Sequence, residues 1–145
     1  MNLNLNLHLA RHGGFTLIEL LVVMAILAML AGLVGPKVMN ALGESKSKTA
    51  RVQLEELSAA LDIYRLDTGN YPRGAQGLQA LVQRPDAAEN WNGPYLKKPR
   101  LPKDPWGVDY TYRFPGEHGD YDLYSLGADG TEGGEGEAKD INGWE

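Results

Sequence analysis

The sequence predicts an α+β fold in which a long N-terminal helix, transmembrane in its first half, packs on a small antiparallel β-sheet. Three observations favour this fold. An apolar run near the N-terminus is followed by a segment with helical spacing of hydrophobic residues, and the C-terminal half alternates polar and apolar residues between turns rich in Gly and Pro. A chain of 145 residues suits one small domain plus an anchor.

The composition excludes several classes of function. The chain has 19 acidic residues against 14 Lys and Arg, and its net charge of -5 argues against the phosphate backbone of a nucleic acid as a partner. The absence of cysteine excludes a disulfide framework, a Cys-based zinc site and a thiol nucleophile. No His and Asp lie in register with Ser125, so a catalytic triad has no support, and we expect a chain that is not an enzyme.

The predicted helix begins with a segment long enough to cross a membrane. Residues 1–14 form a polar leader, and residues 15–36 form a run of 22 residues with one charge, close to the ~20 residues that span a bilayer. A secretory signal peptide and a buried core helix are the alternatives. A signal peptide ends in small residues, whereas here Gly13 and Gly14 precede the apolar run, so cleavage there would keep the helix. Arg11 ahead of the run, against Lys37 after it, favours a cytoplasmic N-terminus by a small asymmetry.

The helical pattern continues beyond the apolar run as an amphipathic stem, residues 37–68. We expect Pro36 to interrupt one backbone hydrogen bond, and Gly69 with Asn70 to end the helix before Pro72. Apolar residues recur at three- and four-residue spacing at Val52, Leu54, Leu57, Leu61, Tyr64 and Leu66.

The remaining residues, 69–145, form a predicted globular head. We expect a short helix near Gly77–Gln83, and the alternating segments predict antiparallel strands around Val108–Phe114 and Tyr121–Leu126 that pack on the apolar face of the stem. The Trp and Tyr residues of this part suggest either a sugar-binding platform or the cover of a small core, and a head of this size favours the core.

The segment GGFTLIE, residues 13–19, resembles the processing site of type IV pilins and pseudopilins. The resemblance implies cleavage between Gly14 and Phe15 by a prepilin peptidase on the cytoplasmic face of the membrane, followed by N-methylation of Phe15. It also implies that Glu19 and Pro36 serve assembly.

A carboxylate such as that of Glu19 is costly within an apolar span unless it is paired or protonated. Cleavage creates a partner, because the new Phe15 ammonium of an adjacent subunit can neutralise Glu19 and set the axial offset between subunits. The alternative is a protonated glutamate, or one that faces the lipid headgroups.

Four segments of the head and of the adjoining end of the stem resemble the major pseudopilin family of the bacterial type II secretion system. They are LDIYRLDTGNYP (61–72), GLQALVQRP (77–85), YLKKPRLPKDPWG (95–107) and DLYSLGADGTEGGEGEAKDINGW (122–144). The chain departs from the family pattern in its less basic leader and in an apparent insertion at Pro99-Arg100.

This resemblance implies the major structural subunit of a pseudopilus, which polymerises from the inner membrane and drives export of folded proteins across the outer membrane. The implied partners are other copies of the chain in a helical homopolymer, minor pseudopilins, the prepilin peptidase, the inner-membrane assembly platform and membrane lipid. The stem and head would be periplasmic.

A type IV pilin for adhesion or motility is the alternative, and it would share Gly14 and Glu19 but not the head motifs. A monomeric membrane-anchored binding or hydrolytic domain would be neither cleaved nor polymerised.

The acidic, glycine-rich loop at residues 125–140 has the composition of a calcium site, because Ca²⁺ takes six to eight oxygen ligands in loose geometry. It lacks the order of an EF-hand, and a solvated acidic loop is the alternative. The resemblance to the major pseudopilin implies that this loop binds Ca²⁺. The candidate ligands are Asp129, the Leu126 carbonyl and then Asp140, with Glu135 and Glu137 competing for a further position. Asp120 and Asp122 are expected to cap or pair near the second strand.

Overall fold

The computed structural model describes residues 14–145, so residues 1–13 of the predicted leader lie outside the described part. The chain divides into two compact units, one ending at Met39 and the other comprising Asn40–Glu145. The elements in chain order are an α-helix α1 (Leu17–Thr68), a 3₁₀ helix (Gly74–Leu81), strands β1 (Thr111–Arg113) and β2 (Asp122–Ser125), a second 3₁₀ helix (Gly136–Ala138) and strand β3 (Ile141–Asn142).

Helix α1 ends where the sequence predicts. Its last residue is Thr68, and Gly69 adopts the left-handed conformation with a φ of 83°. The Gly69 N–H donates to the Arg65 carbonyl at 2.8 Å, which satisfies one of the last carbonyls of the helix. Glycine takes this φ without the steric penalty that a Cβ would introduce, so the predicted stop is confirmed. Pro36 lies inside the helix.

The core of the second unit is built on one face of α1. The buried helix residues recur at alternating four- and three-residue spacing at Ala50, Leu54, Leu57, Leu61 and Tyr64. The predicted apolar face was wrong at two positions, because Val52 and Leu66 are 55% and 83% exposed. The period of 3.6 residues turns both side chains away from the buried face, whereas Ala50, which lies on that face, was not predicted.

The three strands form an antiparallel sheet in the order β1-β2-β3. Tyr112 pairs with Leu123, and Ser125 pairs with Ile141. The two predicted strands are confirmed in place but are shorter than expected, and β3 was not predicted. All four residues of the central strand β2 are buried, so its sequence alternation does not separate a buried face from an exposed one. Leu123 and Ile141 join the helix residues in the core.

The predicted helix near Gly77–Gln83 needs a correction. The structure has two 3₁₀ turns over Gly74–Leu81, divided at Gly77, whose φ of 43° is incompatible with a continuous helix. The turns nevertheless bring Leu78 and Leu81 into the core.

Most of the aromatic residues cover this core, as predicted, whereas Trp144 is 37% exposed and lies outside the core cluster. Tyr64 meets Tyr95 edge to face with ring centroids 5.6 Å apart, and Trp91 meets the same ring at 5.7 Å. The polar tips have partners, since the Trp91 indole donates to the Ala80 carbonyl at 2.8 Å and the Tyr95 hydroxyl donates to Asp67 at 2.9 Å.

Candidate functional site

The predicted processing site lies immediately before helix α1. Gly14, Phe15 and Thr16 have no regular secondary structure, and the helix begins at Leu17. Phe15 is 87% exposed, and no side chain or backbone atom lies within 4 Å of the position that a Cβ would take on Gly14. Gly14 and Phe15 are therefore both exposed with respect to the described residues.

Glu19 is held at the start of α1 by a capping box with Thr16. The Glu19 carboxylate accepts the Thr16 N–H at 2.9 Å and the Thr16 hydroxyl at 3.0 Å, while the Glu19 N–H donates to the Thr16 hydroxyl at 3.2 Å. The carboxylate thus has a partner within its own chain. Thr16 was not predicted as a partner of Glu19, although the T-x-x-E spacing ahead of an apolar run is the signature of this motif.

The segment after the capping box has the length and composition of a membrane span. No residue in its most apolar part is buried by the rest of the described chain, and large side chains such as Leu17 and Ile18 are 82% and 70% exposed. A helix in this state is stable when lipid or other apolar helices surround it, because exposed aliphatic surface is unfavourable in water at roughly 25 cal/mol per Å².

The C-terminal loop contains the predicted cation ligands. Asp129 accepts the Thr131 N–H at 3.1 Å, and Asp140 accepts the Gly133 N–H at 2.9 Å through Oδ2. The second oxygen of Asp140, Oδ1, is buried without a hydrogen-bond partner. Within residues 14–145, every other buried side-chain nitrogen or oxygen has a partner. A buried carboxylate oxygen without a protein partner is costly unless a water molecule or a cation satisfies it.

The backbone closes this loop at its neck. The Ala128 N–H donates to the Glu137 carbonyl at 2.9 Å. Gly127 has a φ of 66°, and a Cβ at this position would lie 2.9 Å from the carbonyl oxygens of both Glu137 and Lys139. Only glycine fits both this conformation and this close approach.

The two glutamates that competed as ligands occupy different surroundings. Glu137 accepts the Trp106 indole N–H at 3.5 Å, and its side chain lies against Gly43 of α1, where a Cβ would come within 2.6 Å of Glu137 Cγ. Glu135 is exposed. In the described part of the chain no three His, Asp or Glu side chains form a cluster, so a cation in this loop would also need backbone carbonyls such as that of Leu126.

Asp120 and Asp122 each have their own partners at the start of β2, as predicted. Asp122 is 2% exposed and accepts the N–H groups of Glu117 and His118 at 2.9 and 3.0 Å. Burial raises the pKa of Asp122, but these two N–H donors and the His118 ring lower it by more, so the pKa lies below its ordinary value. Asp120 forms an exposed ion pair with Arg65 at 3.1 Å.

Comparison with known proteins agrees with this geometry. Residues 37–144 match the family described as type II secretion system (T2SS), protein G, and residues 9–35 match the prokaryotic N-terminal methylation motif. The chain is 49% identical to the type II secretion system core protein G of Pseudomonas aeruginosa, over 93% of this chain and 96% of that protein. It is 47% identical to the protein of the same name from Vibrio cholerae, over 90% of each chain.

A solved structure supports the fold. The crystal structure of the major pseudopilin from the type 2 secretion system of enterohaemorrhagic Escherichia coli matches with a TM-score of 0.61 and 37% identity, over 75% of this chain and 95% of that one. The chain, with its membrane-anchoring helix and its small antiparallel sheet, therefore belongs to the type II secretion system protein G family, the structural family of the major pseudopilins.

Proposed function

We propose that this chain is the major structural subunit of a type II secretion pseudopilus, which polymerises from the inner membrane to drive export of folded proteins across the outer membrane. The observation that carries this proposal is the unburied apolar first part of α1, residues 17–36, which begins three residues after Gly14 and contains one acidic residue, Glu19. Together with family membership, this helix supports a subunit that is held in the membrane until it is built into a fibre.

The proposed arrangement is single-pass, with the N-terminus cytoplasmic and the stem and head periplasmic. The proposed divisions are the leader (1–14), the membrane and assembly helix (15–36), the stem (37–68) and the head (69–145). Cleavage before Phe15 by a prepilin peptidase removes the leader, and methylation follows on the new amine. The assembly platform of the inner membrane and the minor pseudopilins are the further proposed partners.

Assembly requires a contact that each copy offers to the next in a helical, non-closing array. The exposed apolar side chains of α1 supply packing surface for the fibre interior. Glu19 supplies a charge, and the ammonium group of Phe15 in an adjacent copy is its proposed partner. In a single copy the Thr16 capping box already stabilises this carboxylate, so pairing between copies adds a charged partner to hydrogen bonds that exist before assembly.

We also propose that the C-terminal loop binds Ca²⁺. The residues present fit a hard cation, because Asp140 Oδ1 is buried without a partner and the loop combines carboxylates with turns of glycine backbone. Leu126 through its carbonyl, Asp129 and Asp140 would hold the ion, and Glu135 and Glu137 remain the candidates for a further ligand. Bound calcium would supply positive charge that links the two ends of an acidic loop.

Deletion of the gene tests the proposed role in secretion. We expect exoproteins to accumulate in the periplasm and to return to the medium when the wild-type gene is supplied. A strain that secretes normally but loses adhesion or surface motility would show instead that the chain is a type IV pilin.

Mass spectrometry of the membrane-extracted protein tests maturation. We expect the mass of residues 15–145 plus one methyl group. An intact Met1 in cells with active prepilin peptidase would contradict the proposed processing.

Three substitutions separate the charge of Glu19 from its capping role. We expect Glu19→Gln to assemble poorly although its amide oxygen still caps the helix, and Thr16→Ala to keep the charge while losing the cap. Glu44→Ala, an exposed acidic position farther along α1, is the matched control. Wild-type amounts of fibre from overproduced Glu19→Gln would refute the pairing.

A further inference from the structure

A turn in the head, Asp104–Gly107, lies beside the C-terminal loop and is fixed by one buried carboxylate. Asp104 is 4% exposed, and its Oδ1 accepts the N–H groups of Trp106 at 3.0 Å and Val108 at 2.8 Å. The Gly107 N–H donates to the Asp104 carbonyl at 2.9 Å, which closes the turn. The position of this carboxylate is therefore set by the backbone on either side of it.

The other oxygen of Asp104 reaches the start of the C-terminal loop. Ser125 has no exposed surface, and its hydroxyl donates to Asp104 Oδ2 at 2.6 Å. The same hydroxyl oxygen accepts the Gly127 N–H at 3.2 Å. These two bonds fix the residues on both sides of Leu126, whose carbonyl is a proposed calcium ligand.

The turn also reaches the far end of the loop. The Trp106 indole N–H donates to Glu137 at 3.5 Å, and the Glu137 carbonyl accepts the Ala128 N–H at 2.9 Å. The Asp104–Gly107 turn, which is held by one carboxylate, thus contacts the C-terminal loop both near its start, at Ser125, and near its end, at Glu137. Because the loop is rich in glycine and acidic residues, it would otherwise lose much conformational entropy on ordering.

We propose that Asp104 is a positioning residue for the calcium site. Through Ser125 it holds the Leu126 carbonyl in place before the ion arrives, so that less ordering is required on binding. The inference rests on the calcium binding proposed above. Partners that orient metal ligands without touching the metal typically contribute 10–100-fold to affinity, and this sets the expected size of the effect.

Calorimetric titration of the full-length protein in detergent with calcium chloride tests this role. We expect Asp104→Asn and Ser125→Ala to raise the Kd for Ca²⁺ by roughly 10–100-fold. In Asp104→Asn the amide NH₂ would face the Ser125 hydroxyl, whose own hydrogen would then lose its acceptor. Asp109→Asn is the matched control, because Asp109 is exposed on the same segment and is expected to leave the Kd unchanged.

A second measurement separates positioning from a general effect on folding. We expect calcium to raise the melting temperature of both variants by less than it raises that of wild type, with a smaller difference between the proteins in chelator. Ser125→Ala removes only one oxygen atom. If Asp104→Asn does not fold, the Kd and melting temperature of Ser125→Ala therefore test the positioning role. Folded variants with wild-type affinity would overturn the positioning role while leaving calcium binding intact. A wild-type protein that binds no calcium would instead refute the calcium site, and the positioning role with it.

Discussion

Leu61→Ala is the substitution that most directly tests how the head is built on helix α1. Leu61 has no exposed surface and belongs to the buried cluster that includes Leu81 of the first 3₁₀ helix and Leu123 of β2. Because the side chain is fully buried in a cluster drawn from several elements, we expect the cavity left by alanine to collapse only in part. We therefore expect a loss of about 3–5 kcal/mol in the free energy of unfolding.

The assay follows the unfolding of the unit Asn40–Glu145 within the full-length protein. All three tryptophans, Trp91, Trp106 and Trp144, lie in the unit Asn40–Glu145, so their fluorescence in detergent reports unfolding of that unit. A loss of this size corresponds to a fall of about 10 °C or more in melting temperature for a domain of roughly 100 residues.

Leu66→Ala is the matched control on the same helix. Leu66 is 83% exposed, so the same change of residue should alter the free energy of unfolding by no more than about 0.5 kcal/mol. Equal losses for the two variants would show that the buried face of α1 has been assigned wrongly. Processing before Phe15 should continue in both variants, because that site lies in the other unit.

Three further predictions concern the loop and its surroundings. Calcium should raise the melting temperature, by an amount equivalent to about 2.7 kcal/mol at a hundredfold excess over Kd, and Asp129→Ala should remove the difference between calcium and chelator. Because the folded-state pKa of Asp122 lies below the unfolded value of about 3.9, its contribution is present above that pH and is lost as pH falls through the folded-state pKa. Thermal melts from pH 6 downward should therefore show a smaller decline for Asp122→Asn than for wild type. Gly127→Ala should destabilise the head by at least about 1 kcal/mol more than Gly130→Ala in chemical denaturation, since both residues have a φ of 66° but only Gly127 faces carbonyl oxygens at 2.9 Å. Equal losses would refute the steric argument.

Local patterns predicted the end of helix α1 and its apolar first part. The end of α1 followed from Gly69, because a glycine before Asn and Pro supplies the left-handed residue that ends a helix. The membrane segment followed from the length of its apolar run. The third strand, Ile141–Asn142, was missed because two residues are too few to show an alternating pattern. Strand β2 lies where it was predicted, but its alternation did not indicate that all four of its residues are buried.

The candidate sites also divide into those that local sequence indicates and those that only the tertiary structure shows. Glu19 was singled out because a charge inside an apolar run is visible in the sequence, and its Thr16 partner lies three residues away. Asp104 and Ser125 are 21 residues apart, and neither has a local signal that points to the other. Their contact depends on how the Asp104–Gly107 turn folds against β2, which is a property of the tertiary structure. The roles of Glu135 and Glu137 remain predictions.

The pairing of β2 with β3 places the last part of the head core near the C-terminal end of the chain. Proteins are synthesised from the N-terminus, so the apolar helix leaves the ribosome first and can enter a membrane while the remaining residues are still being made. The core cluster stays incomplete until Ile141 has been added. Insertion can therefore precede completion of the head, and a chain that stops shortly before Ile141 would retain its apolar helix but lack a finished core.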